Sequence, residues 1–99
     1  MKFILNDLKY DTDKMEKIAD VKKWYATNNA WIRAMYKELE VGTEYNCELW
    51  KSKKGNYLLT HVQDYNHKGE AISEEEAIKL IRQYDLKKYE EMFGEIEEA

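Results

Sequence analysis

The chain has no proline, four glycines and one cysteine among 99 residues. Without proline and with so little glycine, collagen-like, proline-rich and flexible-linker classes are excluded. Cys47 has no second cysteine to pair with, so no internal disulfide framework exists, as expected of an intracellular chain. No apolar run approaches the ~20 residues needed to span a bilayer. The opening Met1-Lys2-Phe3-Ile4-Leu5-Asn6-Asp7 turns polar too early for a signal peptide. The expectation is a soluble, cytoplasmic protein with no membrane partner.

Aromatic residues are abundant by contrast. They make up 13% of the chain, with 3 Trp and 8 Tyr, and hydrophobic residues reach 43%. That composition is too apolar for a disordered chain. A chain of this size buries roughly two-thirds of its unfolded surface, enough for one core. The reading is one domain over residues 1–99, with 95–99 a frayed acidic tail.

Charge is unevenly placed. Residues 1–60 carry 11 Lys or Arg against 9 Asp or Glu, whereas 61–99 carry 5 against 11. The net charge of −4 therefore belongs to the C-terminal third. Its acidic clusters are Glu74-Glu75-Glu76, Glu90-Glu91 and Glu95, Glu97, Glu98. Two readings coexist: a solvated helical surface, or a face that docks onto a basic partner.

Periodicity predicts an α+β fold. Phe3-Ile4-Leu5 and Leu8-Lys9-Tyr10 flank Asn6-Asp7, the pattern of a tight hairpin. Lys14 to Tyr25 admits a helix or a strand, and the β-branched and aromatic residues at its end favour the strand. Thr27-Asn28-Asn29 is a break. Ala30 to Glu40 follows as a helix with Trp31, Ala34, Met35 and Leu39 on one face, a cap at Asn28 or Asn29 and a stop at Gly42. Tyr45 to Lys51 and Asn56 to Val62 alternate as two strands around a lysine-rich tip, Lys51 to Asn56. Gln63 to Gly69 is polar and reads as a loop. Ser73 and Glu76 form a capping box, and Ala77, Ile78, Leu80, Ile81 and Tyr84 make a buried stripe. Asp85 caps a last helix ending at Gly94. The sum is a small antiparallel sheet of three to five strands with helices packed on one face, two of them C-terminal.

Catalytic chemistry finds little support. Cys47, His61 and His67 are the only cysteine and histidines, and they lack metal-ligand spacing, so no metal or cofactor is expected. Cys47 stands between Asn46 and Glu48, a poor setting for a thiolate. Ser52 and Ser73 lie in no nucleophile elbow. Four isolated glycines build no phosphate cradle. The expectation is a protein that is not an enzyme.

Two binding readings remain. Trp50, Lys51, Lys53, Lys54 and Tyr57 place aromatics and lysines on one hairpin, a pattern suited to stacking bases and neutralising phosphates. The same lysines also keep a sheet edge soluble while Trp50 and Tyr57 pack across strands. The net charge opposes nucleic acid as a direct ligand. Protein binding fits better: Trp24, Tyr25, Trp31, Tyr36, Tyr45, Trp50, Tyr57, Tyr65, Tyr84 and Tyr89 exceed what one small core encloses, and exposed Tyr and Trp serve as interface anchors.

Three segments carry a resemblance. They are Glu48-Leu49-Trp50-Lys51-Ser52-Lys53-Lys54-Gly55-Asn56-Tyr57-Leu58-Leu59, Ile72-Ser73-Glu74-Glu75-Glu76-Ala77 and Tyr89-Glu90-Glu91-Met92-Phe93-Gly94-Glu95. With Lys9-Tyr10-Asp11-Thr12-Asp13, they resemble a family of small proteins from phages and conjugative elements of Firmicutes. About half the chain is covered in pieces, and residues 24–44 do not match. The shared motifs are a hairpin and a capped helix, and they mark no catalytic residues. Small acidic proteins of such elements often inhibit host defence, anti-CRISPR proteins being the best-known class. The resemblance thus implies an inhibitor or modulator of a host nucleic-acid-handling protein, such as a CRISPR nuclease, in a bacterial host cell. Such nucleases hold nucleic acid in positively charged channels. Glu74, Glu75, Glu90 and Glu91 would stand in for phosphates there, with Trp31 and Tyr36 as anchors.

Overall fold

A computed structural model describes residues 1–27, 29–35 and 41–99. The first hairpin joins β1 (Lys2–Leu5) to β2 (Leu8–Asp11) in antiparallel register, with Leu5 opposite Leu8. Asn6 and Asp7 both take positive φ, at 51° and 64°, as a two-residue type I′ turn requires. A short 3-10 turn, Thr12–Lys14, then leads into the main sheet.

That sheet is an antiparallel meander of four strands in the order β3 (Glu16–Ala26), β4 (Gly42–Lys51), β5 (Tyr57–Gln63), β6 (Asn66–Ile72). The ambiguous segment 14–25 is thus largely strand. A bulge between Lys17 and Ala19 shifts its register against β4. Gly42 is a correction. It opens β4 rather than stopping a helix, and a Cβ there would strike the Tyr25 carbonyl and the Trp24 ring. Residues 63–69 are a second correction. They form a hairpin, with Asp64 and Tyr65 at φ 51° and 64° and Gln63 opposite Asn66.

The helix at Ala30–Met35, α1, is capped by Asn29, whose Oδ1 accepts from the amides of Trp31 and Ile32. The expected continuation through Leu39 and Glu40, and the cap alternative Asn28, lie outside the described residues. The C-terminal helices are α2 (Glu74–Tyr84) and α3 (Leu86–Phe93). Ser73 Oγ accepts from the Glu76 amide at 3.1 Å, and Asp85 Oδ1 accepts from the Lys88 amide at 3.1 Å. The Glu76 side chain does not complete a capping box. It reaches Lys23 instead, because a cation in a half-buried setting outcompetes an exposed amide.

Strand alternation divides the core in two. On one face Ile18, Ala19, Val21, Cys47, Leu49, Tyr57 and Leu59 pack under Ala77 and Ile81 of α2, with Leu80, Tyr89 and Met92 at the margin. Tyr84, expected in that stripe, stands exposed. The opposite face is partly covered by the N-terminal hairpin: Phe3 lies so close over Gly69 that a Cβ there would come within 2.7 Å of its ring. Among the described residues no helix is long and apolar enough to cross a membrane.

Candidate functional site

The expected partner-binding residues fall on three elements. Trp31 sits on α1, which buries none of its residues, and is 74% exposed. Met35, one turn on, is also exposed. The other expected anchor, Tyr36, lies outside the described residues. Glu74 and Glu75 occupy the first turn of α2. Glu75 Oε1 lies 3.6 Å from Lys79 Nζ along the helix, and both side chains are open to water. Such a pair is worth under about 1 kcal/mol and leaves the carboxylate free to exchange partners. Glu90 and Glu91 lie in the last turn of α3, beside Leu86, Lys87 and Glu95 around a shallow depression. Among the described residues no ion pair engages Glu74, Glu90 or Glu91. The two acidic pairs thus stand on different helices, at the start of one and the end of the other.

The hairpin residues divide differently. Lys53 and Lys54 are exposed at the β4–β5 turn. Tyr57 is only 3% exposed and belongs to the core. Lys51 Nζ lies 5.6 Å from the Tyr57 ring centre. Trp50 points to the opposite face and donates from Nε1 to Thr60 Oγ1 at 3.0 Å. Burial leaves the Tyr57 ring no face to stack on a base, and the cross-strand bond fixes the orientation of the half-buried Trp50 indole.

Sequence reasoning missed a cluster at the far end of the helix-bearing face. Lys23 Nζ donates to Glu70 Oε1 at 3.0 Å and Glu76 Oε1 at 2.8 Å. Tyr25 Oη donates to Glu70 Oε2 at 2.8 Å. The His61 ring stacks on Tyr25, with centres 4.8 Å apart, and lies 4.9 Å from Tyr45. Burial and the Glu70 carboxylate push the Tyr25 hydroxyl far above the ordinary tyrosine value. Burial works to lower the Lys23 ammonium, but its hydrogen bonds to Glu76 and Glu70 outweigh it and hold the group above the ordinary lysine value. The signal that could have found the cluster is alternation: Lys23, Tyr25, Tyr45 and His61 all have the parity of the core-facing residues Val21, Cys47 and Leu59.

Cys47 is buried at 2% exposure, and its Sγ donates to the Tyr45 carbonyl at 3.5 Å. Burial pushes its thiol up, with Lys23 offsetting only part of that. A buried, protonated thiol is a poor nucleophile. His61 and His67 join no cluster able to hold a metal ion among the described residues.

Beside the ring cluster the sheet splits. Pairing between β4 and β5 ends at Glu48 opposite Thr60. Yet β4 stays paired with β3 to Gly42, and β5 with β6 to Gln63. A cleft of about 360 Å³ lies at this fork, lined by Glu44, Asn46, Glu48, His61, Val62 and His67 among others.

Comparison with protein-family models, curated proteins and solved structures finds no match to this chain.

Proposed function

We propose that the chain is a non-catalytic protein-binding domain that inhibits or modulates a basic, nucleic-acid-handling host protein, such as a CRISPR nuclease. The observation that carries this reading is Trp31, a large apolar side chain held 74% exposed on a helix whose residues Ala30–Met35 are none of them fully buried. A tryptophan in that position stabilises no core, and desolvating it against a partner gains free energy. The carboxylates Glu74, Glu75, Glu90 and Glu91 supply the electrostatics, steering the domain toward positive charge. The resemblance to mobile-element proteins supplies the class of host target.

The test is a pull-down from a Firmicute lysate that contains a CRISPR system, at low and at moderate salt. The wild-type chain is expected to retain one nuclease or regulator, less at the higher salt. A chain with Glu74, Glu75, Glu90 and Glu91 all changed to Lys is expected to fold and to lose that protein. Equal retention by the reversed chain would overturn the electrostatic part of the reading. Retention of nucleic acid alone would overturn the whole.

A further inference from the structure

We propose that the fork between β4 and β5 binds an extended peptide segment carrying basic side chains. The proposal rests on the protein-binding reading and adds a second contact site to it. Beyond Glu48 and Thr60 the inner edges of β4 (residues 42–47) and β5 (residues 61–63) run on without pairing to each other. Each is held on its outer side by a neighbour, so the edges are rigid. A preformed edge with free main-chain donors and acceptors is a template for an added strand. The outer edge of the sheet at β3 is a poorer template. Its bulge and its charges at Lys17, Asp20 and Lys22 guard it against pairing.

The walls of the cleft state what the segment should carry. Glu44 and Glu48 project on the same side of β4, four residues apart, which is about 13 Å along a strand. Among the described residues Glu44 has no ion pair, and Glu48 reaches only Lys17, at 3.8 Å. Two basic side chains at positions i and i+4 of an added strand match that spacing. Val62, more than half exposed, offers the opposite wall an apolar contact. His61 borders the cleft from the helix-bearing side, its ring packed against Tyr25 and Tyr45 and its Nε2 3.4 Å from Gln63 Oε1. The stacked rings of Tyr25, His61 and Tyr45 span the fork on the helix-bearing face. The segment therefore enters from the other face, where Glu44, Glu48 and Val62 point.

The test is an NMR titration of the intact chain with the peptide acetyl-Arg-Val-Thr-Val-Arg-amide. Saturable shifts are expected at the amides of residues 44–47 and 61–63. The Glu44→Gln/Glu48→Gln chain is expected to bind roughly fivefold more weakly, and backbone N-methylation of the peptide to abolish the shifts. Shifts confined to α2 and α3, equal binding of acetyl-Glu-Val-Thr-Val-Glu-amide, or no saturable shift would each overturn the proposal. The two readings fail separately. If the peptide does not bind at the fork while Trp31-dependent capture persists, only the fork falls. If the peptide binds there and capture is absent, the fork stands as a peptide site and the host-protein reading falls.

Discussion

Lys23 joins three elements through one ammonium group: it rises from β3 and bonds Glu70 of β6 and Glu76 of α2. Tyr25, two residues on, shares Glu70 with it. Both groups hold their proton more firmly in the folded chain than in the unfolded one. Their contribution to stability is therefore fully present below the ordinary values of 10.0 for tyrosine and 10.5 for lysine, and is lost as pH rises above them. The urea midpoint is expected to fall between about pH 9.5 and about pH 11.5, and to fall less steeply in the Lys23→Met/Tyr25→Phe chain. Parallel pH curves for the two proteins would show that the cluster does not carry this dependence. Residue identity alone could not reveal the cluster, since Glu70 and Glu76 lie 47 and 53 positions from Lys23 and meet it only through the meander.

Elements with local causes were legible in advance. Ser73 and Asp85 cap α2 and α3 with their own side chains, and Asn6-Asp7 turns the first hairpin. Alternation pairs Cys47 with Leu49 on one face of β4 and Tyr57 with Leu59 on one face of β5, and the structure packs all four into one core. The hairpin of β5 and β6 was not legible. Its turn is Asp64-Tyr65 in place of an Asn-Gly pair, and the only apolar residues of β6, Ala71 and Ile72, stand at its far end. Tyr65 illustrates the cost. It has φ 64° with its side chain wholly exposed, so a left-handed backbone is paired with no packing gain. Tyr65→Gly removes the clash of Cβ with its own backbone and is expected to stabilise the chain by about 1 kcal/mol, read as a higher urea midpoint. A lower midpoint would mean that the tyrosine ring does packing work in the folded chain. The fork was equally hidden, because ladder length depends on how strands diverge in space.

At the scale of the whole molecule, two faces of the sheet have different coverings. Helices α2 and α3 close one face over Val21, Cys47, Leu49 and Leu59. The N-terminal hairpin covers only part of the other, and the fork opens beside it. Trp31 stands apart from both layers, on a helix with no buried residue. On the proposed reading, stability and binding divide along this line: the two-layer core holds the fold, and the exposed tryptophan and carboxylates would meet the partner. The most direct measurement takes the Trp31→Ala chain and records its melting temperature and its capture of the retained host protein side by side. The melting temperature is expected to stay within about 1 °C of wild type, as for an exposed surface change, while capture is lost. A lowered melting temperature with capture intact would contradict the reading, because Trp31 would then be a structural residue and the binding surface would lie elsewhere.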